Sequence, residues 1–204
     1  MTYVIGDIHG MYRYLLKLLE KLPAREGDEF VFLGDYIDRG PSSKEVVDLL
    51  IKLFKSQKTT FIKGNHEDMM LRCLKMGDCL TWHFNGADAT LRSFGGVDEI
   101  KKYLDFFESL KIFYEKEMFL MVHGGVKPGV PLEEQNEFDM LWIRDEFIYS
   151  VDPLPGKVVV FGHTPMEKPL ISNDKIGVDT GCVYGGYLTS IRLEDLEIFQ
   201  VPCH

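Results

Sequence analysis

No stretch of this 204-residue sequence is apolar for long enough to cross a bilayer. Basic charge is not in surplus either: 23 Lys and Arg against 32 Asp and Glu leave a formal charge of −9, which gives no footprint for nonspecific nucleic-acid binding. Cysteine is scarce. The four residues, Cys73, Cys79, Cys182 and Cys203, contain no Cys-x-x-Cys pair. Closed thiolate zinc sites are thereby excluded, no disulfide framework is expected, and a reducing cytoplasm fits best. Repeats, low-complexity tracts and linkers are missing. With 45% hydrophobic and 27% charged residues, disordered, collagen-like and coiled-coil classes fall away. Met1-Thr2-Tyr3-Val4 already opens an apolar strand, so no secretory leader is expected. What remains is one domain over residues 1–204 around a substantial core.

What the chain does have is a repeated local pattern. Five short apolar runs break off at a metal-ligating residue with glycine beside it: Val4-Ile5-Gly6-Asp7-Ile8-His9-Gly10, Phe32-Leu33-Gly34-Asp35, Phe61-Ile62-Lys63-Gly64-Asn65-His66, Met121-Val122-His123-Gly124-Gly125 and Val160-Phe161-Gly162-His163. A run of four to six apolar residues reads as a buried strand, and glycine lets the chain turn at its end. The next side chain then projects into the crevice outside the carboxyl ends of the strands, where open α/β sheets bind ligands. Two carboxylates meeting there would repel by about 4 kcal/mol at ~4 Å and an effective dielectric of ~20. Such a volume requires cations. Two divalent ions sharing one carboxylate leave room for chemistry, so we expect Asp7 and His9 on one metal, Asn65, His123 and His163 on the other, and Asp35 between them. Imidazole mixed with oxygen suits Mn²⁺, with Fe, Zn or Ni as alternatives, better than Ca²⁺ or Mg²⁺.

Between these stops the order reads βαβαβα to about residue 76. Residues 11–22 carry Tyr12, Leu15, Leu16, Leu19 and Leu22 at helical spacing, and Ser42 followed by Glu45 predicts a capping box for a second helix. Amphipathic crossovers between short strands demand a largely parallel sheet. A mainly helical insertion is expected over about 77–110. The later apolar runs, near 112–115, 119–122, 158–161, 175–178, 188–193 and 197–201, would build a second, mixed sheet against the first.

Gly6-Asp7-Ile8-His9-Gly10, Gly34-Asp35-Tyr36-Ile37-Asp38-Arg39-Gly40 and Gly64-Asn65-His66-Glu67 resemble, in order and spacing, three signatures of the phosphoprotein phosphatase family of binuclear metallophosphoesterases. His123-Gly124-Gly125, Trp142-Ile143-Arg144 and Phe161-Gly162-His163-Thr164-Pro165 resemble its downstream blocks, and Val178-Asp179-Thr180-Gly181 its bacterial and phage-type ending. The resemblance runs from residue 3 to about residue 193. It implies an α/β fold, an αββα sandwich of two mixed sheets flanked by helices.

Ester hydrolysis needs an activated water, charge neutralisation on the phosphoryl oxygens and a proton for the leaving group. A hydroxide bridging two metals is expected to supply the first. Arg39 and Arg144 suit the second by bidentate donation, with Asn65 also near the phosphate; the alternative is that Arg39 pairs with Asp38, and Arg144 with Asp145 or Glu146. His66 suits the third because an ordinary imidazole titrates near neutrality, and Asp38 is expected to hold its ring. Asp179 is placed behind the ligands, Glu67 and Asp68 at a helix start. Trp82, His83 and Asn85 are candidates for the cleft, with packing inside the insertion as the equal alternative, and Tyr36 and Tyr184 are candidates for its rim. The leading expectation is a serine/threonine protein phosphatase acting on a phosphorylated protein or peptide, with phosphotyrosine as a further substrate. Asp38 and Glu67 favour it over the alternative, a symmetrical bis(5'-nucleosyl)-tetraphosphate hydrolase acting on dinucleoside polyphosphates. A non-catalytic interaction module is the third reading, set against by the complete set of ligands and proton donor.

Overall fold

Strands β1 (Thr2–Ile5), β2 (Glu29–Phe32) and β3 (Lys58–Phe61) alternate with helices α1 (Tyr12–Lys21), α2 (Ser43–Ser56) and α3 (Asn65–Met76) in a computed structural model that describes residues 1–204. The three strands run parallel, Val4 beside Val31 and Val31 beside Thr60, because each helix carries the chain back to the same edge of the sheet. Four short helices follow where an insertion was expected: α4 (Leu80–Phe84), α5 (Ala87–Phe94), α6 (Val97–Lys101) and α7 (Leu104–Glu108). Then come β4 (Phe113–Lys116), β5 (Phe119–Val122), α8 (Glu137–Trp142), α9 (Asp145–Ile148), β6 (Val158–Phe161), β7 (Leu170–Ile171), β8 (Lys175–Gly177), β9 (Tyr187–Arg192) and β10 (Glu197–Pro202).

The strands form two mixed five-stranded sheets, ordered β10-β9-β1-β2-β3 and β4-β5-β6-β8-β7. This corrects one expectation: β9 and β10 belong to the first sheet, not to the second. β1 is apolar on both faces, so its outer edge must be covered, and β9 pairs antiparallel along it, Ile5 opposite Ser190. The period of two then sorts side chains into layers. Tyr3, Ile5, Phe30 and Phe32 face the helices, whereas Val4 and Val31 meet Met121, Val160 and Ile176 between the sheets. Leu120, Val122, Val159 and Phe161 point the other way, onto Met140 and Phe147 of α8 and α9. Each fully buried side chain of this kind contributes about 1.5–3 kcal/mol, which fixes the register that brings the strand ends to one rim.

Three local expectations change. Ser42 makes no side-chain cap at α2, and Glu45 instead accepts the Ser93 hydroxyl at 3.2 Å. All four cysteines are paired, Cys73 with Cys79 and Cys182 with Cys203. A Gly77 turn returns the chain past the end of α3, and the β9–β10 hairpin brings Cys203 back beside Cys182, so neither proximity follows from sequence spacing. Cysteine therefore no longer argues for a reducing compartment. Finally, Tyr36 is not at a rim: it is fully buried and donates its hydroxyl to the carbonyls of Ile62 (2.6 Å) and Phe32 (3.1 Å). No helix is long and apolar enough to cross a membrane.

Candidate active site

The residues picked from the sequence sit at strand ends on one rim: Asp7 beyond β1, Asp35 beyond β2, Asn65 and His66 beyond β3, His123 beyond β5 and His163 beyond β6. The backbone there is under strain. Eight non-glycine residues have positive φ, and five of them are His9, Asp35, Asp38, Arg39 and His163, at 45° to 70°. A left-handed residue other than glycine costs on the order of 1–3 kcal/mol and survives only where its surroundings over-determine it. Two glycines make room for the carboxylates: a Cβ at Gly64 would overlap Oδ1 of Asp35, and one at Gly162 would overlap Oδ1 of Asp7.

Asp35 joins two close groups of donor atoms, one with His9 and His66 and one with His123 and His163, each spanning no more than 4.8 Å. Backbone carbonyls fix the tautomers, because a carbonyl only accepts. His9 donates Nδ1–H to Ile37 (2.8 Å), His123 donates Nδ1–H to Leu33 (2.8 Å), and His163 donates Nε2–H to Trp142 (3.3 Å). Each ring is left with a lone pair aimed at the site. His9 Nε2 and His123 Nε2 lie 3.4 Å from the two oxygens of Asp35, while His123 Nε2 (2.9 Å) and His163 Nδ1 (3.2 Å) face Oδ1 of Asn65. Acceptors facing acceptors repel, and cations among them convert that repulsion into bonding. The donor set thus fits two divalent ions with Asp35 common to both.

Asp7 is anchored by the backbone beyond β6. It stands outside both close groups, with both carboxylate oxygens 3.1 Å from the backbone N–H of His163. Burial, together with the charges of Asp179 and Asp35, raises its carboxyl well above the usual range. Asp35 is raised in the same way by burial and by Glu67.

The His66–Asp38 pair is held largely by residues the sequence left undecided. Nδ1 of His66 is 2.6 Å from Oδ2 of Asp38, both fully buried. Trp82 on α4 donates its indole N–H to both Asp38 oxygens (3.0 and 2.9 Å), and the Thr90 hydroxyl on α5 donates to Oδ1 at 2.6 Å. The helices after residue 77 thus orient the pair, and Trp82 is buried in doing so, whereas His83 is exposed and Asn85 half-buried. Burial raises the Asp38 carboxyl to about 7, and burial with the Arg39 and Arg144 charges holds His66 well below its ordinary value. The other ring nitrogen of His66, Nε2, is 3.9 Å from Asp35 Oδ2.

Neither arginine takes the acidic neighbour offered in the sequence. Arg39 donates to His9 Nε2 at 2.7 Å, and Arg144 donates to the His163 carbonyl (3.0 Å) and the Thr164 hydroxyl (3.2 Å). Glu67 is a clamp: its carboxylate accepts the backbone N–H groups of Gly64 and Asp35 (2.9 Å each) and of Tyr36 (2.8 Å), which shapes the loop that carries Asp35. Asp68 stays outside, paired with Arg72. Asp179 is buried beside Asp7, its carboxyl raised by burial to about 6.

A family model described as calcineurin-like phosphoesterase matches residues 2–186. The chain belongs to the calcineurin-like phosphoesterase family. The two donor groups correspond to the binuclear divalent centre of that family. Among relatives, the chain is 26% identical to the asymmetrical bis(5'-nucleosyl)-tetraphosphatase PrpE of Anoxybacillus flavithermus, over 98% of this chain and 93% of that protein. It is 24% identical to the symmetrical bis(5'-nucleosyl)-tetraphosphatase of Nitrosomonas europaea, over 99% and 98%. A crystal structure of a protein assigned as a diadenosine tetraphosphatase superposes with a TM-score of 0.78 at 25% identity, covering 100% of this chain and 93% of that one.

Proposed function

We propose that this calcineurin-like phosphoesterase hydrolyses dinucleoside polyphosphates, with diadenosine tetraphosphate as the substrate to test first. The observation that carries this reading is end-to-end similarity to relatives of both tetraphosphatase types, over 98–99% of the chain. The phosphoprotein reading moves to second place for a structural reason. Asp38 and Glu67 were its support, yet Asp38 holds His66 and Glu67 shapes the Asp35 loop, and both tasks are the same whatever group the phosphate carries.

On this reading Asp7 and His9 serve one cation, Asn65, His123 and His163 the other, and Asp35 both. Bound divalent ions would neutralise phosphoryl oxygens and lower the pKa of a water. The remaining work falls to the protein. Arg39 and Arg144 bind the phosphate chain from two sides. His66 delivers a proton to the departing oxygen through Nε2, while Asp38, itself held by Trp82 and Thr90, keeps Nδ1 protonated and the ring in place. Burial first, and then the two arginine charges, disfavour a protonated His66 in the free protein, and an arriving polyphosphate offsets the arginine part.

The deciding experiment compares kcat/KM for diadenosine tetraphosphate and for a phosphoserine peptide on manganese-loaded protein. A preference of tenfold or more for the dinucleotide is expected. The opposite preference would restore the phosphoprotein reading, and turnover of neither would restore the non-catalytic module.

A further inference from the structure

We infer that two exposed aromatic surfaces on opposite sides of Asp35 receive the two nucleobases of the substrate: Tyr184 on the His9 side, and the Phe138–Trp142 pair on the His163 side. This rests on the dinucleotide reading of the site and adds to it the parts that recognise a base.

His9 and His163 belong to different donor groups that share only Asp35, so they mark its two sides. The Arg39 guanidinium touches His9 and also lies over the Tyr184 ring, 5.6 Å from its centroid. Tyr184 is 64% exposed. On the other side the Trp142 ring meets the His163 ring edge-on, with centroids 6.2 Å apart, and Phe138 stacks on Trp142 at 6.2 Å and 22°. Phe138 is 63% exposed. Single exposed rings are ordinary on protein surfaces. Here each adjoins an arginine, Arg39 contacting one and Arg144 standing two residues from the other, and the buried donor groups lie between them. A phosphate chain between the arginines with a planar base at either end matches this alternation of charge and ring.

Both surfaces are preorganised. Phe138 and Trp142 stand four residues apart on α8, so they share one helix face, and the helix is capped by the Asn136 side chain accepting from Asp139 N–H at 2.8 Å. Tyr184 closes a short 3₁₀ turn (Cys182–Tyr184) between Gly181 and Gly185, both at positive φ, and the Cys182–Cys203 bond ties that turn to the last strand. Rings held in place lose little freedom when a base stacks on them, and such stacking changes affinity by roughly fivefold to a hundredfold per base.

The test uses Phe138→Ala and Tyr184→Ala with Phe138→Tyr and Tyr184→Phe as conservative partners. Trp142 is left intact because its ring packs edge-on against the His163 ring. For each manganese-loaded protein, KM for diadenosine tetraphosphate and the inhibition constant of inorganic phosphate are measured, and AMP binding is followed by tryptophan fluorescence. Each alanine variant should raise KM and weaken AMP about tenfold, with the aromatic variants within twofold of wild type and the phosphate constant nearly unchanged. Alanine variants that bind AMP and dinucleotide like wild type would overturn the two surfaces while leaving the dinucleotide activity standing. If Tyr184→Ala weakens phosphate as much as dinucleotide, Tyr184 serves only to position Arg39 and its role as a base surface is overturned. A wild-type protein that ignores the dinucleotide overturns this inference and the proposed function together.

Discussion

The two ends of the central strands treat buried carboxylates in opposite ways. At the amino end of β2, Glu29 is 2% exposed and surrounded by donors from the chain: Lys116 at 2.8 Å, Tyr114 at 2.9 Å and Lys58 at 3.2 Å. Burial alone would raise its carboxyl, but the hydrogen bonds from Lys116, Tyr114 and Lys58 win and hold it below the usual range. At the carboxyl end, Asp7 and Asp35 are equally buried, and burial with the charges of Asp179 and Glu67 drives both the other way. For Asp35 the backbone N–H of His66 and, after it, the Arg39 charge oppose this without prevailing. A chain that uses lysines to answer one buried acid and omits them where acids cluster has reserved that cluster for cations from outside.

The largest expected effect comes from removing the reserved charge. Asp35→Asn keeps an oxygen to accept the His66 N–H, bonded at 3.1 Å, but deletes the charge shared by both donor groups. Turnover should fall by at least about a thousandfold. Stability should respond in the opposite sense. Because folding raises the Asp35 pKa, the folded state binds the proton more tightly than the unfolded chain, so ionised Asp35 costs stability at neutral pH and the cost fades as pH falls through the folded value. In chelator, Asp35→Asn should therefore melt above wild type at pH 7.5, with the advantage shrinking in acid. Manganese should lift wild type by about 2.7 kcal/mol at a hundredfold excess over Kd, roughly 5–10 °C for a chain of this size, and leave the variant nearly unmoved. A variant that still gains several degrees from manganese would break the comparison.

How much of this was legible beforehand divides along local and nonlocal lines. The strand stops could be read because an apolar run, a glycine and a ligand are neighbours in sequence, and the fold places Asp7, His9, Asp35, Asn65, His123 and His163 on one rim. The pairing of β9 with β1 was misassigned because strand order depends on an edge that no short window contains. Trp82 was seen but not understood, Thr90 was not singled out, and Glu67 was seen as a helix-start residue. Their partners lie 44, 52 and 32 residues away, at Asp38 and at the Asp35 backbone. The Cys182–Cys203 disulfide, closed across 21 residues, escaped for the same reason. Cys73 and Cys79 are only six residues apart, and were passed over because four cysteines without a Cys-x-x-Cys pair were not read as a disulfide framework. The preference for a phosphoprotein substrate lost its support because residues that hold the framework of the site were taken as witnesses to what that framework acts on.

A middle tier of effects separates chemistry from charge. His66→Asn removes the proposed proton donor but none of the lone pairs aimed at the two sites from His9, His123, His163 and Asn65. Metal content by elemental analysis should match wild type while kcat drops about a hundredfold or more. Trp82→Phe takes one indole donor from Asp38 and leaves Thr90 in place, so the pair loosens without losing its charge. We expect kcat to fall about tenfold with KM unchanged, at a stability cost of about 1–2 kcal/mol. Loss of metal in either variant would mean that the dyad and the cation site cannot be separated.

The smallest effect tests the other end of the strands, where the chain supplies its own cations. Lys116→Met keeps the length of the side chain along β4 but leaves Glu29 with Lys58 and Tyr114 alone. The loss should be about 1–2 kcal/mol rather than the larger figure for a fully buried pair, since Lys116 is 29% exposed and two donors remain. Its pH dependence runs opposite to that of Asp35. A carboxyl held low in the folded state contributes stability above its unfolded pKa and loses it as pH falls through the folded value, so wild type and variant should converge in acid. Activity and the manganese shift should both match wild type. If instead Lys116→Met weakened manganese binding, the two ends of the sheet would form one electrostatic system, and the reserved charge at the rim would depend on cations placed at the far end of the strands.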